Sequence, residues 1–305
     1  METVVHTAGL CKYYRGKKAV DGLNMQVRKG EIYGFIGHNG SGKSTTFKML
    51  AGLVKPTAGE IALFDRPLTD RVTTSRVSAL IEDAGIYEHL SPRDNVRLKA
   101  DWLGLADGDA ATDDALRAVG LDPADKTRAR RLSMGNRRRL GLALAIVGAP
   151  DLLLLDEPTN GLDPEGIRDV RALLLRLNQE RGVTIVISSH LLGELEKIAT
   201  CYGILRAGRM VRELTAAELQ AECRDALELH TTDPKRAAVV LEQALHLTHY
   251  EVRPGGELRV WDPADPAAVT AALVNAGIPV QSVGAHYGDL EGFFLQLMGG
   301  EHDGK

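Results

Sequence analysis

The sequence predicts an α/β protein in two parts, a core built on a parallel sheet and a smaller α+β domain behind it. Three observations carry that expectation. Short apolar runs alternate with helical patterns over the first two thirds of the chain. The apolar run "IYGFI" leads directly into a glycine-rich loop and then a helix. After about Leu214 the rhythm changes to strand, helix, strand, strand, helix, strand.

Taken in order, strands are expected around Val4 and Val5, over residues 23–27 and over residues 32–36, the last as a buried strand. Residues 37–52 pass from the glycine-rich loop into an amphipathic helix with Phe47, Met49 and Leu50 apolar. "VSALIEDAG" alternates through Val77, Ala79 and Ile81 and ends in Glu82 and Asp83 before Gly85, a pattern that in isolation reads as a strand closing in a solvated turn. Ser91 is a helix N-cap with Pro92 at the first helical position, and residues 86–150 read as mainly helical. "LLLLD" and "VTIVIS" are apolar strands on either side of the helical "PEGIRDVRALLLRLNQ", and a hairpin follows around Gly208. Residues 226–298 then give the βαββαβ order of a ferredoxin-like domain, closed by a helix in "DLEGFFLQLM". The expected domains are 1–215 and 216–305, the second without a catalytic constellation.

Composition narrows the function class. With 44% hydrophobic and 26% charged residues in 305, the chain is an ordinary globular protein, and a net charge of −4 supplies no global attraction for nucleic acid. Cys11, Cys201 and Cys223 are too scattered for a disulfide framework or a thiolate zinc site. No apolar run reaches the 18 residues of a membrane span and the N-terminus lacks a secretory apolar core, so a cytoplasmic protein is expected, with any spans on a separate chain.

"GHNGSGKST" carries the first chemistry. Gly37, His38, Asn39, Gly40, Ser41 and Gly42 wrap a loop whose N–H groups face phosphate oxygens, and Lys43 adds a point charge for the β and γ groups. Ser44 offers a hydroxyl to Mg²⁺ and Thr45 assists at the α-phosphate. In "LLLLDEPTNGLD" four leucines bury a strand that projects Asp156 and Glu157 from its C-terminal end, where open α/β sheets bind ligands. Asp156 suits the magnesium side and Glu157 the polarisation of attacking water. Because consecutive strand residues face opposite sides, the turn after Glu157 must aim it.

"LSMGNRRRLGLALAIVGAPDLLLLDEPTNGLD" resembles the signature helix, Walker B strand and D-loop of the ATP-binding cassette (ABC) ATPases. Of the family's LSGGQ, Leu132, Ser133 and Gly135 match, while Met134 replaces a glycine and Asn136 the glutamine. Ser133 is placed to cap the helix, and its hydroxyl with the Gly135 N–H to meet a γ-phosphate. The resemblance, over about residues 1–215, implies a P-loop NTPase cassette: parallel-sheet core, antiparallel β subdomain and a helical subdomain at about 86–150. It implies that His190 in "ISSH" is the switch histidine, an assignment the residue alone would not carry. It also implies that Asp163 is the D-loop aspartate of a dimer interface, and that the aromatic of "CKYYRGKKAVDG" stacks on adenine, spacing favouring Tyr14 over Tyr13. Two cassettes would face head to tail with ATP between them, as a homodimer or with a related second copy.

In that family the strand after the P-loop helix ends in a glutamine that contacts Mg²⁺ and links the nucleotide to the transmembrane partner. Glu82 falls at that position, implying a carboxylate suited to a magnesium-loaded site; Asp83 matches no family role. The acidic loop and short accessory domain are similar to the bacitracin and lantibiotic self-protection exporters, which pair the cassette with separate permease subunits. The leading expectation is therefore an ATPase subunit of such an exporter, peripheral at the inner face of the membrane. The competing one is a soluble ABC-type ATPase acting on nucleic acid or the ribosome. Six arginines at 128, 130, 131, 137, 138 and 139 could serve the latter, but one P-loop and no sustained heptads favour the former, and no nucleic-acid partner is expected.

Overall fold

The structure is a computed structural model that describes residues 2–68, 75–82, 85–189, 192–223, 226–253, 255–262, 264–286, 292–294 and 297. The chain divides into two compact units, Met1–Ala216 and Ala217–Lys305.

In the first unit, β1 (Thr3–Tyr14) and β2 (Lys17–Arg28) are each 12 residues long and pair antiparallel. They are much longer than the cores at Val4–Val5 and 23–27 suggest, because their outward positions are polar and carry no apolar signal. β4 (Ala58–Leu63) and the two-residue β5 (Arg66–Pro67) complete this sheet in the order β2-β1-β4-β5. Sequence patterning missed β4, whose first three residues, Ala58, Gly59 and Glu60, are exposed.

The second sheet is the expected parallel core. β3 (Ile32–Ile36), β6 (Val77–Leu80), β7 (Leu152–Asp156), β8 (Thr184–Ser188), β9 (Cys201–Arg206) and β10 (Arg209–Thr215) lie in the order β10-β9-β3-β8-β7-β6. Every neighbouring pair is parallel except the β9–β10 hairpin. β3, β7 and β8 are buried at every residue, which explains their unbroken apolar runs. One core joins the two sheets through Val5, Leu23, Phe35, Phe47, Leu154 and Val186.

Helices α1 (Lys43–Leu50), α2 (Pro92–Trp102), α3 (Gly108–Ala118), α4 (Met134–Ile146), α5 (Pro164–Arg181) and the short α6 (Leu192–Glu196) follow. α2 starts as its sequence indicates: Ser91 Oγ accepts from the Asp94 N–H at 3.1 Å, Asp94 reaches back to the Ser91 N–H, and Pro92 occupies the first turn. α2 to α4 form the helical stretch between β6 and β7.

The second unit contains β11 (Ala226–Thr231), α8 (Pro234–Leu245), β12 (Tyr250–Val252), β13 (Glu257–Val260), α9 (Pro266–Asn275) and β14 (Val280–His286), preceded by α7 (Ala216–Glu222) at the junction. All pairings are antiparallel, in the order β12-β13-β11-β14. Leu229 and Leu258 from the sheet share a core with Leu241 of α8 and Leu273 of α9, so both helices cover one face. Most of the expected closing helix lies outside the described residues.

Candidate nucleotide site

The site begins where β3 stops. Its five apolar residues end at Ile36, and the loop of residues 37–42 turns the chain into α1. Gly42 adopts φ 111°, and a Cβ there would stand 2.4 Å from the Ala19 carbonyl oxygen, so only glycine fits between β2 and the helix start. His38, Asn39 and Gly40 are exposed at the tip. The first backbone bond onto the helix runs from the Thr46 N–H to the Gly42 oxygen at 2.9 Å, which leaves the N–H groups of Lys43, Ser44 and Thr45 at an electropositive helix start. Lys43 is folded over the loop, donating to the carbonyls of Gly37 at 2.5 Å and His38 at 3.3 Å. Burial pushes its ammonium below the usual lysine range, and the carboxylates of Glu157 and Asp156 act in the opposite direction.

Those carboxylates come from the end of β7. Asp156 is 4% exposed and its Oδ1 accepts from Ser188 Oγ at 2.6 Å. Ser188 pairs with Asp156 in the parallel register of β7 and β8, and its Oγ also accepts from the Glu157 N–H at 3.0 Å. One buried hydroxyl therefore orients both positions. Patterning could not single it out, because the adjacency of β7 and β8 exists only in the sheet. Glu157 leaves the strand at φ 51°, a left-handed conformation rare for residues with a side chain. This is the re-aiming turn that two consecutive acids on a strand require.

Glu82 ends the neighbouring strand region, also left-handed at φ 54°. Its side chain is 63% exposed and Oε1 pairs with Lys48 Nζ of α1 at 2.6 Å. Lys48 carries no signal in the sequence: it lies one helical turn beyond the phosphate loop and shows no local relation to residue 82. Asp83 and His190 lie outside the described residues.

The signature segment caps itself as its sequence suggests, Ser133 Oγ accepting from the Asn136 N–H at 3.2 Å. Met134 is 68% exposed, and its side chain lies against Gly161, where an added Cβ would stand 2.5 Å from the methionine methyl carbon. Gly135 faces Leu162 of the same D-loop. Asp163 caps α5, its Oδ1 accepting from the Gly166 N–H at 3.0 Å. Of the six clustered arginines, three pair within the chain: Arg137 with Glu88 at 3.0 Å and Arg139 with Asp169 at 3.0 Å at the surface, and Arg138 with backbone carbonyls at the strand ends.

At the far end of β1, Tyr14 is 45% exposed with Lys12 Nζ 5.0 Å from its ring centroid. Tyr13 is committed elsewhere, its hydroxyl donating to Asp21 at 3.3 Å and Lys18 lying over its ring.

A phosphate loop at the helix start, two strand-end carboxylates and a self-capped signature helix on this sheet define a cassette-type ATPase. The family model described as ABC transporter matches residues 20–160. The chain is 39% identical over 303 residues to the uncharacterized ABC transporter ATP-binding protein YcbN of Bacillus subtilis (strain 168), covering 98% of each. It is 38% identical to the bacitracin transport ATP-binding protein BcrA of Bacillus licheniformis, over 98% of this chain and 99% of that one. Among solved structures, cbiO1 from Clostridium perfringens, part of the ABC transporter complex cbiONQ, aligns with a TM-score of 0.64 at 26% identity, over 81% of this chain and 97% of that one. The chain belongs to the ABC transporter ATP-binding proteins, the subunits that bind and hydrolyse ATP.

Proposed function

We propose that this ATPase drives an exporter of an antimicrobial peptide or related compound, as a homodimer acting on separate permease subunits at the inner face of the membrane. The full-length likeness to a bacitracin transport protein supports the cargo class. No helix among the described residues is long and apolar enough to cross a membrane, so the spans are assigned to the permease. A cavity of about 290 Å³ beside the Glu82 strand end, lined in part by Tyr87, Leu98 and Trp102, supports permease docking there. Trp102 is 90% exposed and Tyr87 60%, an apolar surface of the kind that marks interaction sites.

The observation that carries the catalytic reading is Lys43 held over the loop beside Asp156 and Glu157. The loop N–H groups from Gly37 to Thr45 and the Lys43 ammonium bind the phosphates, and Tyr14 stacks on adenine. Glu157 accepts the proton of the attacking water, and His190 contacts the γ-phosphate. Ser133, Gly135 and Asp163 of one subunit meet the nucleotide of the other.

The donors at the strand end fit magnesium. The buried Asp156 carboxylate and the half-buried Ser44 hydroxyl are hard oxygen ligands, and no group of three or more His, Cys, Asp or Glu converges among the described residues. That sparse set matches a cation which takes one or two protein carboxylates and completes its shell with phosphates, hydroxyls and water. When bound, Mg²⁺ neutralises charge on the β and γ oxygens; Ser44, Asp156 and Glu82 are the side chains assigned to it.

The decisive experiment is Glu157→Gln. Hydrolysis is expected to fall by roughly 10²- to 10⁴-fold while ATP binding persists and an ATP-bound dimer accumulates on size exclusion. An unchanged turnover rate removes Glu157 from its role.

A further inference from the structure

We propose that Arg138 is a positioning residue for hydrolysis, clamping the end of the strand that carries Glu82 to the turn that carries Glu157. The inference rests on the catalytic reading of Glu157. The Arg138 guanidinium, projecting from α4, donates from Nη1 to the Glu82 carbonyl at 2.6 Å, and from Nη2 to the carbonyls of Asp156 at 2.7 Å and of Glu157. Its Nε reaches the Pro158 carbonyl at 3.3 Å. One planar cation thus gathers four backbone oxygens from two segments far apart in sequence.

Two of those oxygens belong to the left-handed residues of the site, Glu82 at φ 54° and Glu157 at φ 51°. A side chain in that region disfavours the conformation, so it persists only where surrounding contacts hold it. A carbonyl direction is fixed by the dihedrals of its own residue. Charge-assisted bonds to the carbonyls of Glu82 and Glu157 therefore hold the backbone that aims each carboxylate. β6 and β7 are adjacent and parallel, so Arg138 bridges their C-terminal ends directly. The arginines on either side do not duplicate this: Arg137 pairs with Glu88, and Arg139 with Asp169 and the Val119 carbonyl. A displacement of the Glu82 segment or of α4 by about 1 Å would break bonds of this length, which makes the clamp a mechanical link from the strand end to the hydrolytic carboxylate.

The test uses the full chain as wild type, Arg138→Ala, Arg138→Lys and Glu157→Gln. Arg138→Ala should lower kcat by about 10- to 100-fold, with the Kd for Mg-ATP close to wild type because the phosphate loop is untouched. Low millimolar guanidinium should restore part of the lost kcat. Arg138→Lys should resemble Arg138→Ala, since an ammonium lacks the planar fork, and it carries the comparison should the alanine variant fold poorly. In nucleotide-free protein, amide exchange should quicken together at residues 85–88 and 157–160 while that of α1 is unchanged. If both Arg138 variants keep kcat within about twofold and both segments keep wild-type exchange, the inference is overturned. Loss of ATP affinity and Tm in parallel with kcat, without guanidinium rescue, also overturns it, in favour of a fold-support role. The Glu157→Gln arm separates the two readings: wild-type turnover there defeats the catalytic assignment, whereas abolished turnover alongside fully active Arg138 variants defeats only the clamp.

Discussion

At residue scale the most informative position is Glu82, a carboxylate where the family resemblance implies a glutamine. A carboxylate about 5 Å from one unit of phosphate charge is disfavoured by at most about 3 kcal/mol at an effective dielectric near 20. The structure supplies a partial answer to that repulsion, because Lys48 holds the carboxylate from α1 at 2.6 Å. Solvent screening weakens this exposed pair, so under the proposed metal role bound Mg²⁺ would supply the remainder. Glu82→Gln is expected to raise the half-saturating Mg²⁺ concentration for ATP hydrolysis by about tenfold or more, and to tighten binding of metal-free ATP. An unchanged magnesium titration would leave residue 82 as a coupling element only. Ser188 and Arg138 belong to the same scale but were not legible: each acts on residues brought near only by the order β8-β7-β6.

At element scale, the start of α2 was legible because its signals are local, and the structure shows the same pattern at three further helices. Ser91, Asp163, Asp233 and Asp265 all cap helices whose next residue is proline, and each accepts a backbone N–H from the first turn. Ser91→Ala removes the capping box of α2 and should lower stability by about 1 kcal/mol, read as a reduced urea midpoint without a change in ATP affinity. The buried strands were legible for the same reason, since a strand covered on both faces must be apolar throughout. β4 was not: its exposed residues 58–60 carry no period, and it is a strand because β1 pairs with it.

At the scale of the molecule, each unit holds its own core, with Leu23, Phe35 and Leu154 in one and Leu229, Leu241 and Leu258 in the other. A chain ending at Ala216 is therefore expected to fold and to bind Mg-ATP within about threefold of the full-length affinity. Comparing its turnover and its ATP-induced dimerisation with the full chain asks what the second unit contributes. Unchanged values for both would assign that unit to a partner outside the cassette, and a loss of dimer alone would assign it to assembly.

The sequence by itself determined the local elements from which the chemistry is proposed: a glycine-rich loop between an apolar strand and a helix, two acids closing another apolar strand, and a serine that caps the helix after it. These are contiguous patterns, and their physics is local. Only the tertiary structure decided how they are held, since Ser188 beneath Asp156, Lys48 beside Glu82 and Arg138 across both strand ends are contacts between segments that strand order and helix packing make neighbours. A residue's partners depend on which strands lie side by side, and no period or spacing within one segment encodes that.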